Sequence, residues 1–248
     1  MTRPSSRAHF LGRRSLSLWF VLALVAAGAA QSAPELIIRN GLVVTVGGRY
    51  EADVRIRNGT IAEIGRTLAA TAGTREIEAR GLLVLPGGID PHSHMADPPN
   101  GRVLETYTSG SAAALAGGVT TVSNFLSKPP SETVTAFLDR NTALVEKTAI
   151  ADFFIHVNVT DPTWLTRQAL ATLADRGFTS TKTFMSQPYF DSNATGFVKA
   201  FRLSGEEGVL SMIHCEDAAI LSDLGPLMVE QGRGGLHNYA ASRPDATE

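Results

Sequence analysis

The chain has 248 residues, with 22 Lys and Arg against 24 Asp and Glu, a net charge of −2, 44% hydrophobic and 19% charged residues. That is the composition of a globular protein with room for one large domain, or for a large domain and a small companion. No basic stripe with interleaved aromatics occurs, which argues against a nucleic-acid-binding surface, and the single cysteine, Cys215, excludes an intrachain disulfide.

Residues 1–30 read as an export signal. Arg3, Arg7, Arg13 and Arg14 appear without an acidic residue, and the apolar run LSLWFVLALVAAGAA follows from Leu16 to Ala30 and closes on small residues before Gln31. The run is shorter than the roughly 20 apolar residues of a spanning helix, so no permanent membrane anchor is expected and the mature protein should be periplasmic or secreted. Arg13-Arg14 with Ser15 and Leu16 also points toward twin-arginine export, although Ser17 stands where a second apolar residue belongs.

Residues 34–85 carry the signals of short strands and turns. LIIRNGLVVTV contains Asn40-Gly41 and is followed by Gly47-Gly48, and ADVRIRNGTIAEIG alternates apolar and polar residues around Asn58-Gly59. Period-two alternation with Asn-Gly dipeptides predicts hairpins in a small all-β unit.

From residue 86 to 248 strands alternate with helices. ETYTSGSAAALAGG predicts a small-residue-rich helix and VTTVSNF a strand; SETVTAFLDRNTALVEKTA predicts a helix with Ser131 as N-cap. The strand DFFIHVNV, a helix through WLTRQALATLADRG closed by Gly177, the strand FTSTKTFM, a helix over 196–205 and the strand VLSMIHCE follow. Five strands are counted, beginning at Leu82, near Thr121, and at Phe153, Phe178 and Val209. Repeated β-then-α units imply a parallel sheet with function at the C-terminal strand ends. An eight-stranded barrel needs about 250 residues, so the chain holds either a smaller open sheet or an incomplete barrel.

The chemistry-bearing residues sit at those ends. His92 and His94, in PGGIDPHSHM, follow an apolar strand; alternation would point both the same way, about 7 Å apart, and two neutral imidazoles so placed can share a metal. His214 ends VLSMIH and Lys182 ends FTSTK. A lysine amine is protonated up to a pKa near 10.4 and is a poor ligand, but carboxylated by carbon dioxide it becomes an anionic carbamate with two oxygens. His156 lies inside a strand and reads as structural; His237 reads as a surface residue.

PGGIDPHSHM, TSGSAAALAGGVTTVSNF, GFTSTKTFM, SMIHCED and YAASRP, in this order and spacing over residues 82–248, resemble the cyclic amidohydrolases, most closely the dihydropyrimidinases and D-hydantoinases. The resemblance implies that residues 86–248 are about five βα units, the N-terminal portion of a metal-dependent-hydrolase TIM barrel, preceded over residues 34–85 by β-sandwich strands. It implies two divalent metal ions, usually zinc: His92 and His94 on the more buried one, carboxylated Lys182 bridging both, and His214 on the second. It implies hydrolysis of a cyclic amide by a hydroxide held between the metals, a small-molecule substrate and a homo-oligomer. A further histidine ligand and the aspartate that shuttles the proton would lie beyond residue 248, so the chain reads as truncated and, by itself, as having little activity.

One position departs from that pattern. Five residues beyond the lysine, where the resemblance places a substrate-binding tyrosine, stands Gln187, and the nearest tyrosine is Tyr189. This leaves open an amidohydrolase acting on another amide, a dipeptide or an ester. A third alternative is a non-catalytic assembly protein like the dihydropyrimidinase-related proteins, which lack metal ligands.

Overall fold

The computed structural model describes residues 35–247; the predicted export signal lies outside them. The chain divides into two compact units between Leu85 and Pro86.

The first unit is a five-stranded sheet. β1 (Leu36–Thr45), β2 (Gly48–Arg57) and β3 (Thr60–Gly65) form an antiparallel meander, while β4 (Arg75–Glu78) and β5 (Leu83–Val84) both pair with β1 in parallel. The Asn58-Gly59 turn has φ of 52° and 74° at its two residues, the pair of positive angles that a two-residue primed hairpin turn requires. Asn40-Gly41 does not make a hairpin, contrary to the sequence expectation. It sits inside β1, where the register shifts between Ile38 and Gly41 and Asn40 takes a φ of 56°. The glycine is needed for close approach: a Cβ at Gly41 would lie 2.3 Å from Cγ2 of Val84 on β5.

That irregularity is held by a buried carboxylate. Asp53 is 3% exposed and accepts hydrogen bonds from the Asn40 N–H (2.9 Å), the Leu68 N–H (3.0 Å) and Arg39 Nη1 (2.8 Å). Val43, Ala52 and Val54 form the small core beside it.

The second unit is an α/β sheet of five parallel strands: β6 (Gly88–Asp90), β7 (Val119–Ser127), β8 (Asp152–Asn158), β9 (Ser180–Phe184) and β10 (Leu210–His214). Their spatial order is β10-β9-β8-β7-β6, so chain order and sheet order coincide, as in successive strands of a barrel rather than a doubly wound sheet. The connecting helices are α1 (Tyr107–Ala116), α2 (Val134–Thr148), α3 (Arg167–Asp175), α4 (Pro188–Asp191), α5 (Ala194–Glu206) and α6 (Ala218–Glu230). Phe137 and Leu138 of α2, Leu170 and Leu173 of α3 and Phe197 of α5 bury against Val157 and Val159, covering one face of the sheet as period-3.6 patterning requires. No helix among the described residues is long and apolar enough to cross a membrane.

Two boundaries differ from the sequence reading. The apolar run Leu82–Leu85 is not the first strand of the parallel sheet: Leu83–Val84 pairs with β1 in the first unit, and the parallel sheet begins at Gly88. Thr133, not Ser131, caps α2, its side chain accepting from the Ala136 N–H at 3.2 Å; Glu132 is instead drawn to Arg140 (2.8 Å) and its carbonyl to Lys128 (2.9 Å).

Burial alone would raise the Asp53 pKa, but the two backbone N–H donors and Arg39 outweigh it and hold the carboxyl below the usual aspartate value. Its contribution to stability is therefore full above the ordinary carboxylate range and is lost as pH falls through the lowered, folded-state pKa. Asp53→Asn should cost about 3 kcal/mol at neutral pH, and the gap between variant and parent in urea unfolding should close in acid; a gap constant down to strongly acidic pH would contradict this.

Candidate metal centre

The segment carrying the two histidines is irregular backbone beyond the end of β6, so strand alternation does not align them. Hydrogen bonds to β7 and β8 hold it instead. Ser93 Oγ donates to the Ser123 carbonyl; Asn124 is a double tie, its Oδ1 accepting from the Met95 N–H (3.1 Å) and its Nδ2 donating to the Met95 carbonyl (2.8 Å). Buried His156 touches the Pro91 carbonyl through Nε2 (3.1 Å) and Ser180 Oγ through Nδ1 (2.5 Å). The Pro91 carbonyl can only accept, so Nε2 carries the proton and Nδ1 accepts from Ser180. His156 is structural, as its sequence position implies. Gly87 is required upstream, because a Cβ there would sit 2.0 Å from Thr120 Oγ1.

Held in this way, the His92 and His94 rings lie 5.5 Å apart. Phe125 of β7 is their floor, 4.7 Å from His92 and 5.2 Å from His94 between ring centroids. Lys182 occupies the middle of β9 rather than its end, and its Nζ lies 5.7 Å from the Phe125 centroid and 5.2 Å from that of Phe184. Phe184 in turn lies 5.6 Å from the ring of His214, the last residue of β10. The four predicted residues thus gather around two phenylalanines at the C-terminal end of the parallel sheet.

Lys182 is 5% exposed, and among the described residues its amine has no hydrogen-bond or ion-pair partner; burial pushes its pKa below the usual lysine range, opposed by Cys215. His92 is pushed below the ordinary histidine value, first by partial removal from water, then by the charge of Lys182 and by His94. Both shifts favour the neutral forms, which are the forms that react with carbon dioxide or donate a lone pair to a metal. Among the described residues no three His, Cys, Asp or Glu side chains are arranged to hold a metal ion. The donor set therefore fits a divalent cation only with Lys182 counted in as an anion.

No family profile matches the chain. It is 31% identical to dihydropyrimidinase 1 of Caenorhabditis elegans over 223 residues and 32% identical to the D-hydantoinase of Geobacillus stearothermophilus over 215, covering 87% and 86% of the chain and 45% of each relative. A crystal structure of a Thermus D-hydantoinase superposes with a TM-score of 0.72 at 31% identity, over 86% of the chain and 47% of that protein. The chain is a homologue of the dihydropyrimidinases and D-hydantoinases. It spans about 45% of the length of the curated relatives it matches.

The remaining predicted positions fall outside the cluster. Gln187 is exposed at the N-terminus of α4, and Tyr189, two residues on, packs against the hydrophobic core with its ring 5.9 Å from Phe197. His237 is exposed beside Asn238. Asn124, Glu216 and Arg243 were not singled out in the sequence. Asn124 and Arg243 lie inside recognised motifs, VTTVSNF and YAASRP, but nothing in their spacing announces a partner 29 or 27 residues away.

In the metal-free protein His92 should take up its proton below the ordinary 6.5. Because the unfolded chain binds that proton first, stability should fall as pH drops below the unfolded value. Histidine-selective NMR titration reads the first effect, and the flatter pH–stability curve of His92→Gln reads the second; a His92 signal titrating at or above 6.5 would contradict both.

Proposed function

We propose that this chain forms the metal-binding half of a hydrolase of cyclic amides. The observation that carries the proposal is the gathering of His92, His94, Lys182 and His214 around Phe125 and Phe184 at the C-terminal strand ends, where parallel α/β sheets place their chemistry. Homology to dihydropyrimidinases and D-hydantoinases supports the substrate class. Four intact donor candidates disfavour a non-catalytic assembly role.

His92 and His94 would hold one divalent cation and His214 the second, zinc being the first candidate for both, with Lys182 as the bridge. When bound, the cations would polarise the amide carbonyl and lower the pKa of a water so that a nucleophile exists at neutral pH. The chain's own residues set the rest. The unpaired, buried Lys182 amine is available to attack carbon dioxide, forming a C–N bond and releasing one proton to leave the anionic carbamate. Ser93, Asn124 and His156 hold the two imidazoles in place while that happens, and Phe125 and Phe184 shield the amine from water. A further histidine ligand and the proton-shuttling aspartate are assigned to the sequence following Glu248. Export of the mature protein through the signal at 1–30, and homo-oligomerisation, belong to the same proposal.

The position of Tyr189 favours a second reading of the substrate. With that ring committed to the core and Gln187 exposed in its place, the ring-binding contacts of a hydantoinase need not recur, and another amide, a dipeptide or an ester could occupy the same centre.

The first step is to read the gene past the Glu248 codon for a strand-end histidine and a later aspartate. The zinc-loaded full-length protein is then assayed on hydantoin, dihydrouracil, a dipeptide and an aryl ester. Hydrolysis of a ring amide is expected, with Lys182→Ala lowering kcat/KM by about 10³-fold or more. Cleavage of only the ester or the dipeptide would favour the second reading. Absence of any hydrolysis would dismiss the enzyme.

A further inference from the structure

His214 is not left to orient itself. Its Nε2 contacts Glu216 Oε2, and Glu216 Oε1 is held by Arg243 Nη1. Glu216 is buried, 8% exposed. Arg243 lies over the Tyr239 ring at 5.1 Å, and the same segment is fastened again by the Asp217 N–H donating to the Thr247 carbonyl at 2.7 Å. Asp217 also caps α6, its Oδ1 accepting from the Ile220 N–H at 2.9 Å. The carboxylate of Glu216 therefore sits between two fixed elements, the end of β10 and the loop containing Arg243.

The chemistry of this contact has one solution. An ionised carboxylate only accepts hydrogen bonds, so the His214 nitrogen facing it must carry the proton. With Nε2 protonated, the lone pair of a neutral ring is on Nδ1, which has no hydrogen-bond partner among the described residues. Arg243 occupies the other oxygen, so the carboxylate cannot turn away from the ring. Metal-binding histidines are commonly oriented by such an outer carboxylate, which fixes tautomer and ring together.

We propose that Glu216, clamped by Arg243, is a positioning residue that locks His214 in the Nε2–H tautomer and presents Nδ1 as the donor to the second cation. The cation rests on the function proposed above; the tautomer lock does not. The pair gives the YAASRP segment a task of its own: it supplies the arginine that aims a ligand from 29 residues upstream.

The test begins with the metal-free protein, labelled with nitrogen-15 histidine, where long-range proton–nitrogen correlations report the His214 tautomer. Nε2–H is expected. In Glu216→Gln, Arg243 should keep the amide oxygen and leave the amide NH₂ facing Nε2, so the ring should switch to Nδ1–H. Chelator-competition titration with zinc should then show the weaker of two sites loosened by about 10–100-fold, and Arg243→Lys should retain the parental tautomer where Arg243→Met loses it. An Nδ1–H ring in the parent protein overturns the proposal, as does a Glu216→Gln protein with parental tautomer and parental zinc affinity. Should Glu216→Gln fail to fold, the parental tautomer and the Arg243 variants still decide. If the tautomer switches as expected but the parent binds no second zinc, the lock stands and the metal reading of His214 falls.

Discussion

Burying a lysine amine without an anion beside it is unfavourable by several kcal/mol, and a fold tolerates it only if the amine is neutral or acquires a counter-charge. Lys182 is such a group: 5% exposed, flanked by the faces of Phe125 and Phe184, with no carboxylate within reach among the described residues. The aromatic faces offset part of this cost, since a cation over a ring gains on the order of 0.5–2 kcal/mol, but they leave the charge unneutralised. A carbamate on the amine would remove the problem by converting a buried cation into an anion, and cations held by His92, His94 and His214 would then balance that anion. The dependence runs from the lysine to the histidines: the buried amine is the group that needs a counter-charge, whereas His92 and His94 are exposed and His214 is half-buried.

The parallel register turns this dependence into geometry. Lys182 pairs with Asn158 on one side and Met212 on the other, and Phe184 pairs with His214. Lys182 and Phe184 are two apart on β9 and so face the same way, as do Met212 and His214 on β10. The histidine pair cannot use this device because β6 ends at Asp90. It is positioned instead by hydrogen bonds to β7 and β8: Asn124 and His156 act on backbone groups of Met95 and Pro91, and Ser93 donates to the Ser123 carbonyl. Rigid strands place one half of the centre, and a tethered loop places the other.

What could be read from the amino-acid sequence follows the same division. Short-range patterns were legible: the Asn58-Gly59 turn, the alternation of strand and helix, His-x-His after a glycine pair, and a lysine and a histidine at successive strands. Where a long-range partner decided the outcome, local rules chose wrongly. Asn40-Gly41 resembles a hairpin turn, yet Asp53 and Val84 make it an irregularity inside a strand. Leu82–Leu85 has the composition of a buried strand of either sheet, and pairing with β1 assigned part of it to the first unit. Ser131 and Thr133 are both acceptable caps, and the attraction of Glu132 to Arg140 settled the helix start at the second. Glu216 lies within SMIHCED and Arg243 within YAASRP, but neither motif announces the other, because a charged pair 27 residues apart is only a pair once β10 and the final loop have met.

This division also separates the reaction from the substrate. In the proposed reaction the donor atoms would come from strands β9 and β10 and from a loop tied to strands, so the sheet would set the bond-breaking chemistry. Contacts to the remainder of a substrate would come from the connection after β9, and there the structure has made a different choice. Tyr189 lies two residues beyond the position at which a substrate-binding tyrosine would be sought, and α4 carries its ring onto Phe197 in the core. Retrieving it would mean unpacking an aromatic contact worth on the order of 1 kcal/mol, in addition to the burial of the ring. Gln187, exposed at the head of the same helix, has no such commitment and offers an amide in place of a phenol. An amide presents an NH₂ donor and a separate carbonyl acceptor to a ligand, whereas a phenol offers both roles on a single oxygen beside a planar apolar face. A ligand selected by Gln187 would therefore differ from one selected by tyrosine in its polar edge, while the proposed metal centre would require only that it contain a carbonyl carbon open to attack.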